Sequence, residues 1–338
     1  MADGSVSTSR TLSPQWQAWI GQSLLLGNAP EQIVEFLVRR GLDRPAAQEE
    51  VANAANSPYT QAAVSFVKSL RKLESHMAIA AELNKLSVRS RRIDRVETIT
   101  PGDFLEQYYA TNTPLIMTGM MQNWSALQKW TPMYFAEKFG HVTVSVQTNR
   151  STNPFYEIEM EKHRTEMPLR HYIDMILTAG KTNDFYMTAN NGNLDRAEFD
   201  PLFEDMELFP GICRAERPQN TIFLWIGPRG TITPLHHDPC NLLMAQVYGR
   251  KKWYMISPFY TPKLYNYRGV YSAVDLTNPD YNTFPLFRDV QIIEEILYPG
   301  EVIFVPVGWW HFVEALDVSI SVSMTHFVFP NAYNWQYP

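Results

Sequence analysis

Cysteine is scarce in this chain: among 338 residues only Cys213 and Cys240 occur, so no disulfide framework can hold it together and a buried core has to. Long apolar runs are missing as well. No stretch approaches the ~20 unbroken apolar residues that a bilayer span requires, and Met1–Thr11 is polar, without the apolar segment of a secretory leader. These absences together point to a reducing, cytoplasmic setting. Excess positive charge is also lacking, since 29 basic residues against 35 acidic ones give a net charge of −6. That balance argues against a surface built to neutralise nucleic-acid phosphates, and against a nucleoside in RNA as substrate. The one basic run, Arg89-Ser90-Arg91-Arg92, reads as a solvated linker at a domain boundary.

What is present is enough to bury a sizeable core: 45% of the residues are hydrophobic and 13% aromatic, and the length suits one large domain with a smaller one beside it. The smaller, residues 1–90, reads as helical. Ser13 before Pro14 is a helix start, Trp16, Trp19 and Ile20 follow at helical spacing, and Gly27 closes the segment. A second helix is predicted from Pro30 to Arg40 with Gly41 as its stop, a third begins near Pro45, and one or two long helices should fill Tyr59–Leu86. The apolar stripe Ala62, Phe66, Leu70, Leu73, Met77 and Leu83 suits a core or a dimer surface, so this region is expected to serve homodimerisation or substrate docking.

From about Arg92, in the domain expected over residues 91–338, strand patterns take over. Pro114–Gly119, Val142–Val146 and Asp184–Thr188 read as strands, with helices over Thr131–Gly140 and Met167–Gly180 between them. Ile222–Ile226 runs into Gly227-Pro228-Arg229-Gly230, and the stretch Thr231–Pro239 is predicted to be the outgoing half of a hairpin. Two more strands follow around a turn at Gly249.

Thr231–Pro239 is the stretch around which chemistry gathers. Alternate side chains of a strand face the same way, so His236 and Asp238 can share a cavity while His237 turns from it. His311, after a turn and a short buried strand, can bring a second imidazole to the same point. Two histidines and a carboxylate on one side of an ion form the facial triad of non-heme Fe(II) oxygenases, which leaves positions open for other ligands. Cys240 has the same parity, but Pro239 breaks the strand and a soft thiolate does not suit such a site. Trp225, Trp309 and Trp310 are expected as core or cavity walls, and His326 as a hydrogen-bonded core or rim residue.

The segments TPLHHDP (from Thr233), QVYGRKK (from Gln246), LYPGEVIFVPVGWWH (ending at His311) and SISVSM (from Ser319) resemble the core of the JmjC, or cupin-like, Fe(II)- and 2-oxoglutarate-dependent oxygenases. VDLTNPDYNTFP, from Val274, resembles within that family the asparaginyl hydroxylase that inhibits hypoxia-inducible factor. The resemblance runs from Ile93 to Phe329. It implies a double-stranded β-helix, a jelly-roll barrel of two antiparallel sheets with flanking helices. It also implies Fe(II) held by His236, Asp238 and His311, with 2-oxoglutarate and O2 as co-substrates. The far carboxylate of 2-oxoglutarate would meet Lys251, Thr233 and Tyr186 through charge-assisted hydrogen bonds, with Arg250 and Lys252 pointing the other way along the strand.

The activity so implied is hydroxylation of an aliphatic C–H in a protein or peptide side chain, with succinate and carbon dioxide as co-products. Demethylation of methyl-lysine is the second enzymatic reading, ranked lower because no zinc finger, chromodomain or similar reader module is visible. A cupin-fold protein that binds a metal or small acid without turnover is the non-catalytic one. The chain departs from the asparaginyl hydroxylase at the substrate. Val270 and Tyr271 stand where that enzyme has an arginine and a glutamine for the target amide, and Ser323 where it has an asparagine. Its carboxy-terminal dimerisation helices are expected to be absent, and substrate choice is expected to lie in loops such as Tyr265–Tyr271 and Asn190–Leu194.

Overall fold

A computed structural model describes residues 12–189 and 191–334. Asn190, one end of an expected substrate loop, and the expected leader-free stretch Met1–Thr11 lie outside the described residues. The chain divides into two compact units, residues 1–79 and 80–338. No helix among the described residues is long and apolar enough to cross a membrane.

The first unit contains α1 (Pro14–Leu25), α2 (Pro30–Arg39), α3 (Arg44–Asn56) and most of α4 (Pro58–Asn84). Ser13 and Asp43 accept hydrogen bonds from the backbone amides of Trp16 and Ala46, capping α1 and α3. Their core is small, made by Ile20, Ile33, Val34, Leu37, Ala47 and Val51. The long pattern over Tyr59–Leu86 is one helix, α4, in which only Ala81 is buried.

Among the described residues the second unit has fourteen strands. The first four are β1 (Asp94–Val96), β2 (Leu115–Met117), β3 (Thr143–Gln147) and β4 (Arg164–Pro168), and then come β5 (Ile222–Gly227), β6 (Ile232–His237), β7 (Leu242–Tyr248), β8 (Lys251–Ile256), β9 (Asn266–Arg268) and β10 (Tyr271–Ser272). The last are β11 (Ile293–Leu297), β12 (Val302–Val305), β13 (Trp310–Ala315) and β14 (Ser319–Met324). Two six-stranded sheets, ordered β1-β2-β12-β7-β14-β5 and β11-β8-β13-β6-β10-β9, form the double-stranded β-helix, and β3 and β4 pair separately.

Strand alternation sorts the side chains into three layers. Ile303, Val305, Met244, Trp253, Met255 and Val313 fill the space between the two large sheets. Leu243, Ala245 and Phe304 turn the opposite way, into the large cluster where Phe304 meets Phe104, Tyr109 and Phe327. Leu235, Ile256, Trp310 and Phe312 cover the outer face of the second sheet.

Two expectations are corrected here. β5 and β6 are not a hairpin: β5 pairs with β14 and β6 with β13, so the chain crosses between sheets at Pro228–Gly230. Apolar alternation is the same for a hairpin and for a sheet-to-sheet crossing, which is why the pattern misled. Asp184–Thr188 is not a strand but a connection held by single bridges, Gln147 to Tyr186 and Met187 to Ile226.

Two glycines set the approach of the site residues. At Gly227 a Cβ would lie 2.5 Å from the Tyr186 ring, so only glycine lets that tyrosine lie against β5. Gly249 turns the chain from β7 into β8 with φ +68°, and a Cβ there would lie 2.1 Å from the Val318 carbonyl oxygen. Gly249→Ala therefore combines left-handed strain with a clash against backbone. It is expected to lower the free energy of unfolding by about 1–3 kcal/mol, read by urea denaturation; an unchanged midpoint would refute this account of the turn.

Candidate active site

His236 ends the run of β6 that faces the interior, and Asp238 follows it by two residues, as the alternation requires. β13 lies antiparallel to β6 with His311 directly opposite His236 and Trp310 opposite His237. The chain end of β6 is tied to the turn before β13 by a 3.0 Å hydrogen bond from the Gly308 amide to the Asp238 carbonyl. These pairings bring the two imidazoles to a centroid separation of 4.1 Å. The Asp238 carboxylate oxygens lie 4.0 Å from His236 Nε2 and 3.6 Å from His311 Nε2. One ligand atom from each of the three residues falls within 4.8 Å of the others.

Both rings are oriented by the backbone. His236 Nδ1 donates to the Pro234 carbonyl at 2.8 Å, and His311 Nδ1 donates to that of Trp309 at 3.0 Å. With the proton on Nδ1, each Nε2 keeps its lone pair for the common point, the arrangement that metal-bound histidines need. Burial moves the His311 imidazole well below its ordinary pKa, reinforced by His236. Burial also raises the Asp238 carboxyl. A divalent cation at the focus offsets that penalty on the carboxylate, and two neutral nitrogens with one oxygen on one side suit a first-row metal with its other positions open.

His237 points away from the focus and packs edge-on against Trp310 at 4.6 Å, buried in the outer layer. Cys240 lines the cavity beside Asp238, its thiol pushed up to about 12 by burial and by the Asp238 charge. His326 is buried with neither ring nitrogen hydrogen-bonded, so the expected hydrogen-bonded role is corrected. Trp309 and Trp310 are core residues as expected, their indoles bonding Asn112 and Thr261, and of the three Trp225 lines the cavity.

The cavity encloses about 620 Å³ and is bounded by His236, Asp238, His311, Lys251, Tyr186 and Thr233 together. Lys251 is 2% exposed and donates from Nζ to the Tyr186 hydroxyl at 2.9 Å. Burial pulls its ammonium down to about 7. Nζ also lies 5.6 Å from the rings of both Tyr186 and Trp225. Among the described residues no carboxylate pairs with it, whereas Arg250 and Lys252 turn outward to Asp317 and Glu294. A buried ammonium of this kind is costly unless an anion meets it. A small dicarboxylate chelating a metal at the histidines would provide that anion, so the residues fit both groups.

Four residues near the cavity escaped the sequence reading. Trp253 stacks on His311 at 5.8 Å, and the Lys251 strand parity was the signal that could have found it. Tyr271, taken only as a replacement for an amide-binding residue, pairs with His236 across β10 and β6 and stacks on its ring at 5.7 Å. Arg150 and Glu157 lie in a loop without periodicity. Arg150 is fully buried and donates from Nη2 to Glu157 and to the Ile232 carbonyl, both at 2.7 Å. Its guanidinium lies over Tyr156 at 4.3 Å and 5.2 Å from the ring of Tyr186, while Glu157 faces the cavity. Arg150→Met is expected to cost about 3–5 kcal/mol, because it leaves a buried carboxylate unpaired. Adding Glu157→Gln should recover part of that loss in chemical denaturation, and additive losses would rule the coupling out.

A sequence profile of the cupin-like domain matches residues 101–327. Lysine-specific demethylase 8 of Xenopus tropicalis is 32% identical over 233 residues, covering 65% of this chain and 49% of that protein. Lysine-specific demethylase JMJ30 of Arabidopsis thaliana is 30% identical, covering 70% of this chain and 55% of that protein. HSPB1-associated protein 1 of Bos taurus is 31% identical, covering 68% and 51%. The matched segment thus spans about half the length of these relatives. A barrel of this topology, matched by the family profile over the strands that carry His236 and His311, makes the chain a member of the cupin-like JmjC family, whose members use Fe(II) and 2-oxoglutarate.

Proposed function

We propose that this chain is an Fe(II)- and 2-oxoglutarate-dependent oxygenase that hydroxylates an aliphatic C–H in a protein or peptide side chain. The observation that carries the reading is Lys251, a buried ammonium without an acid partner among the described residues, in the same cavity as the His236, Asp238 and His311 cluster. A protein that only held a metal has no need of such a cation.

His236, Asp238 and His311 would hold the iron, and Lys251 with the hydroxyls of Tyr186 and Thr233 would hold the far carboxylate of 2-oxoglutarate. The bound iron supplies activation of O2 coupled to oxidative decarboxylation of 2-oxoglutarate to succinate and carbon dioxide. The rest falls to the chain. Trp225, Trp253, Leu242, Met244 and Val313 wall the co-substrate side with apolar surface that excludes water. Tyr271, Arg268, Glu157 and Ile158 line the cavity as well and would receive the substrate side chain. Val270 and Tyr271 replace the arginine and glutamine that bind the target amide in the asparaginyl hydroxylase, so an asparagine would not be held here by that same pair.

Demethylation of methyl-lysine is the second reading, favoured by the printed names of two relatives. Incubation of a peptide pool with Fe(II), ascorbate and 2-oxoglutarate separates the two: hydroxylation adds one oxygen in mass, and demethylation removes a methyl group and releases formaldehyde. Succinate should form with the parent chain and fall to background in His236→Ala. No succinate, with no binding of 2-oxoglutarate, would instead establish a non-catalytic binding protein.

The Lys251 shift gives a pH signature. With a free-state value of about 7, the amine must take up a proton to meet the carboxylate. Affinity for 2-oxoglutarate should be flat below about pH 7 and weaken about tenfold per unit above it. Titration of the Mn(II)-loaded protein reads this directly. A flat profile up to about pH 9 would show that binding draws no proton onto Lys251.

A further inference from the structure

Beside the cavity that holds the candidate metal ligands lies a second one of comparable size, about 650 Å³, which the proposed chemistry does not use. Glu157, Ile158, Arg268 and Tyr271 line both, so the two chambers share a partition. The second has an apolar floor of Leu235, Val274 and Phe312, all buried, and a rim of Phe155 and Tyr267, 47% and 71% exposed. At the partition the Arg268 guanidinium lies over the Phe155 ring at 4.9 Å. The short strand β9 borders both chambers, since Arg268 lines each of them and Tyr267 lines the second. β9 is also the end strand of its sheet, and its outer edge is unpaired among the described residues.

We infer that the second chamber and the β9 edge bind the stretch of a substrate polypeptide next to the modified residue, held extended, with a large aliphatic or aromatic side chain seated in the chamber. The inference rests on the oxygenase reading and deepens it. Two cavities that share a wall suit one occupant that reaches from the first into the second past Tyr271. An extended chain does this by its own geometry: side chains two residues apart point the same way at a spacing of about 7 Å. One can therefore enter the cavity of His236, Asp238 and His311 while the next but one enters the chamber. The free N–H and C=O groups of an edge strand add a ladder that a polypeptide backbone completes, with pockets for alternate side chains setting the choice of sequence. A small molecule would fill the first cavity and leave the chamber and the edge unused. The floor decides the chemistry of the second side chain. Leu235, Val274 and Phe312 offer no hydrogen bond to a charged group that leaves water to reach them.

Affinity selection from a pool of random synthetic peptides tests this on the full chain, loaded with Mn(II) and 2-oxoglutarate under nitrogen so that nothing turns over. Bound peptides should share Leu, Ile, Met, Phe, Tyr or Trp at one fixed position. Replacing that residue by Ser should weaken a selected peptide about tenfold or more, as the loss of one buried apolar side chain implies. Ala273→Trp, at an exposed position that lines only the second chamber, plugs it. This variant should weaken the selected peptide by a similar factor and remove the difference between it and its Ser counterpart. Phe155→Ala, which opens the rim, should shrink the same difference. Succinate released without peptide by the Fe(II)-loaded protein should be equal in the parent and in Ala273→Trp. A pool that yields no bound peptide or no shared apolar position overturns the inference, as does a difference between the two peptides that both variants leave undiminished. Peptides that select and couple as expected, with no succinate from the parent chain, would overturn the oxygenase reading instead and leave a peptide-binding groove.

Discussion

The cross-strand register of β6 and β13 is the constraint on which the site depends. His311 stands opposite His236, and the hydrogen bond from the Gly308 amide to the Asp238 carbonyl fixes the end of the pair. A slip of one residue would exchange inner for outer positions along β13, turning Trp310 toward the cavity and His311 into the outer layer. The apolar layers guard against that slip. Trp310 and Phe312 are seated in the outer cluster, and Val313 in the inner one. The placement of the three candidate metal ligands is thus a by-product of how bulky residues alternate along a strand.

The electrostatics follow from the same burial. Desolvation acts on Asp238, His311 and Lys251 in the direction of their neutral forms, so the cavity disfavours charge from its own side chains until charges of opposite sign enter it. A divalent cation at one end and a dicarboxylate between the two ends meet both demands. Arg150 extends the arrangement. By bonding Glu157 and the Ile232 carbonyl while lying near the Tyr186 ring, it links a cavity wall, the start of β6 and a hydroxyl partner of Lys251. One buried guanidinium therefore steadies residues on both sides of the cavity, at the risk of a stranded carboxylate if it is lost.

Much of this was legible in the sequence, and the parts that were not share a reason. Regular elements announce themselves through periodicity, so α1 to α4, β7, β8, β12 and the inward parity of His236 and Asp238 could be read directly. Periodicity says nothing about which sheet a strand joins, and β5 with β6 was therefore misread as a hairpin. It is also silent on loops. Arg150 and Glu157 come together across a turn stretch, Arg150–Tyr156, that has no repeating pattern, and their proximity depends on the fold of the whole barrel. Trp309 and Trp310 were read as core or cavity walls and are core, but a Gly-Trp-Trp-His run does not reveal where its strand starts, so the layer each joins was not legible. β13 begins at Trp310, which sends that indole outward, and Trp309 belongs to the preceding turn.

The two sides of the cavity differ in how firmly they are held, and this bears on how substrate choice can vary while the chemistry stays fixed. Lys251, Trp253, Met244 and Val313 project from strands bonded on both sides within the sheets. The opposite wall comes largely from β9, β10 and the turn between them, with Gly269 at φ +51°. That hairpin is fastened to the metal end through Tyr271, opposite His236, but Tyr267 near its tip is 71% exposed. Substitutions at the tip can reshape what enters the cavity without moving a metal-facing atom, whereas a change at Tyr271 acts on His236 through their shared register and ring contact. If the proposed activity holds, specificity in such a barrel is therefore free to drift along the hairpin until it reaches Tyr271, where it becomes a matter of the candidate metal ligands.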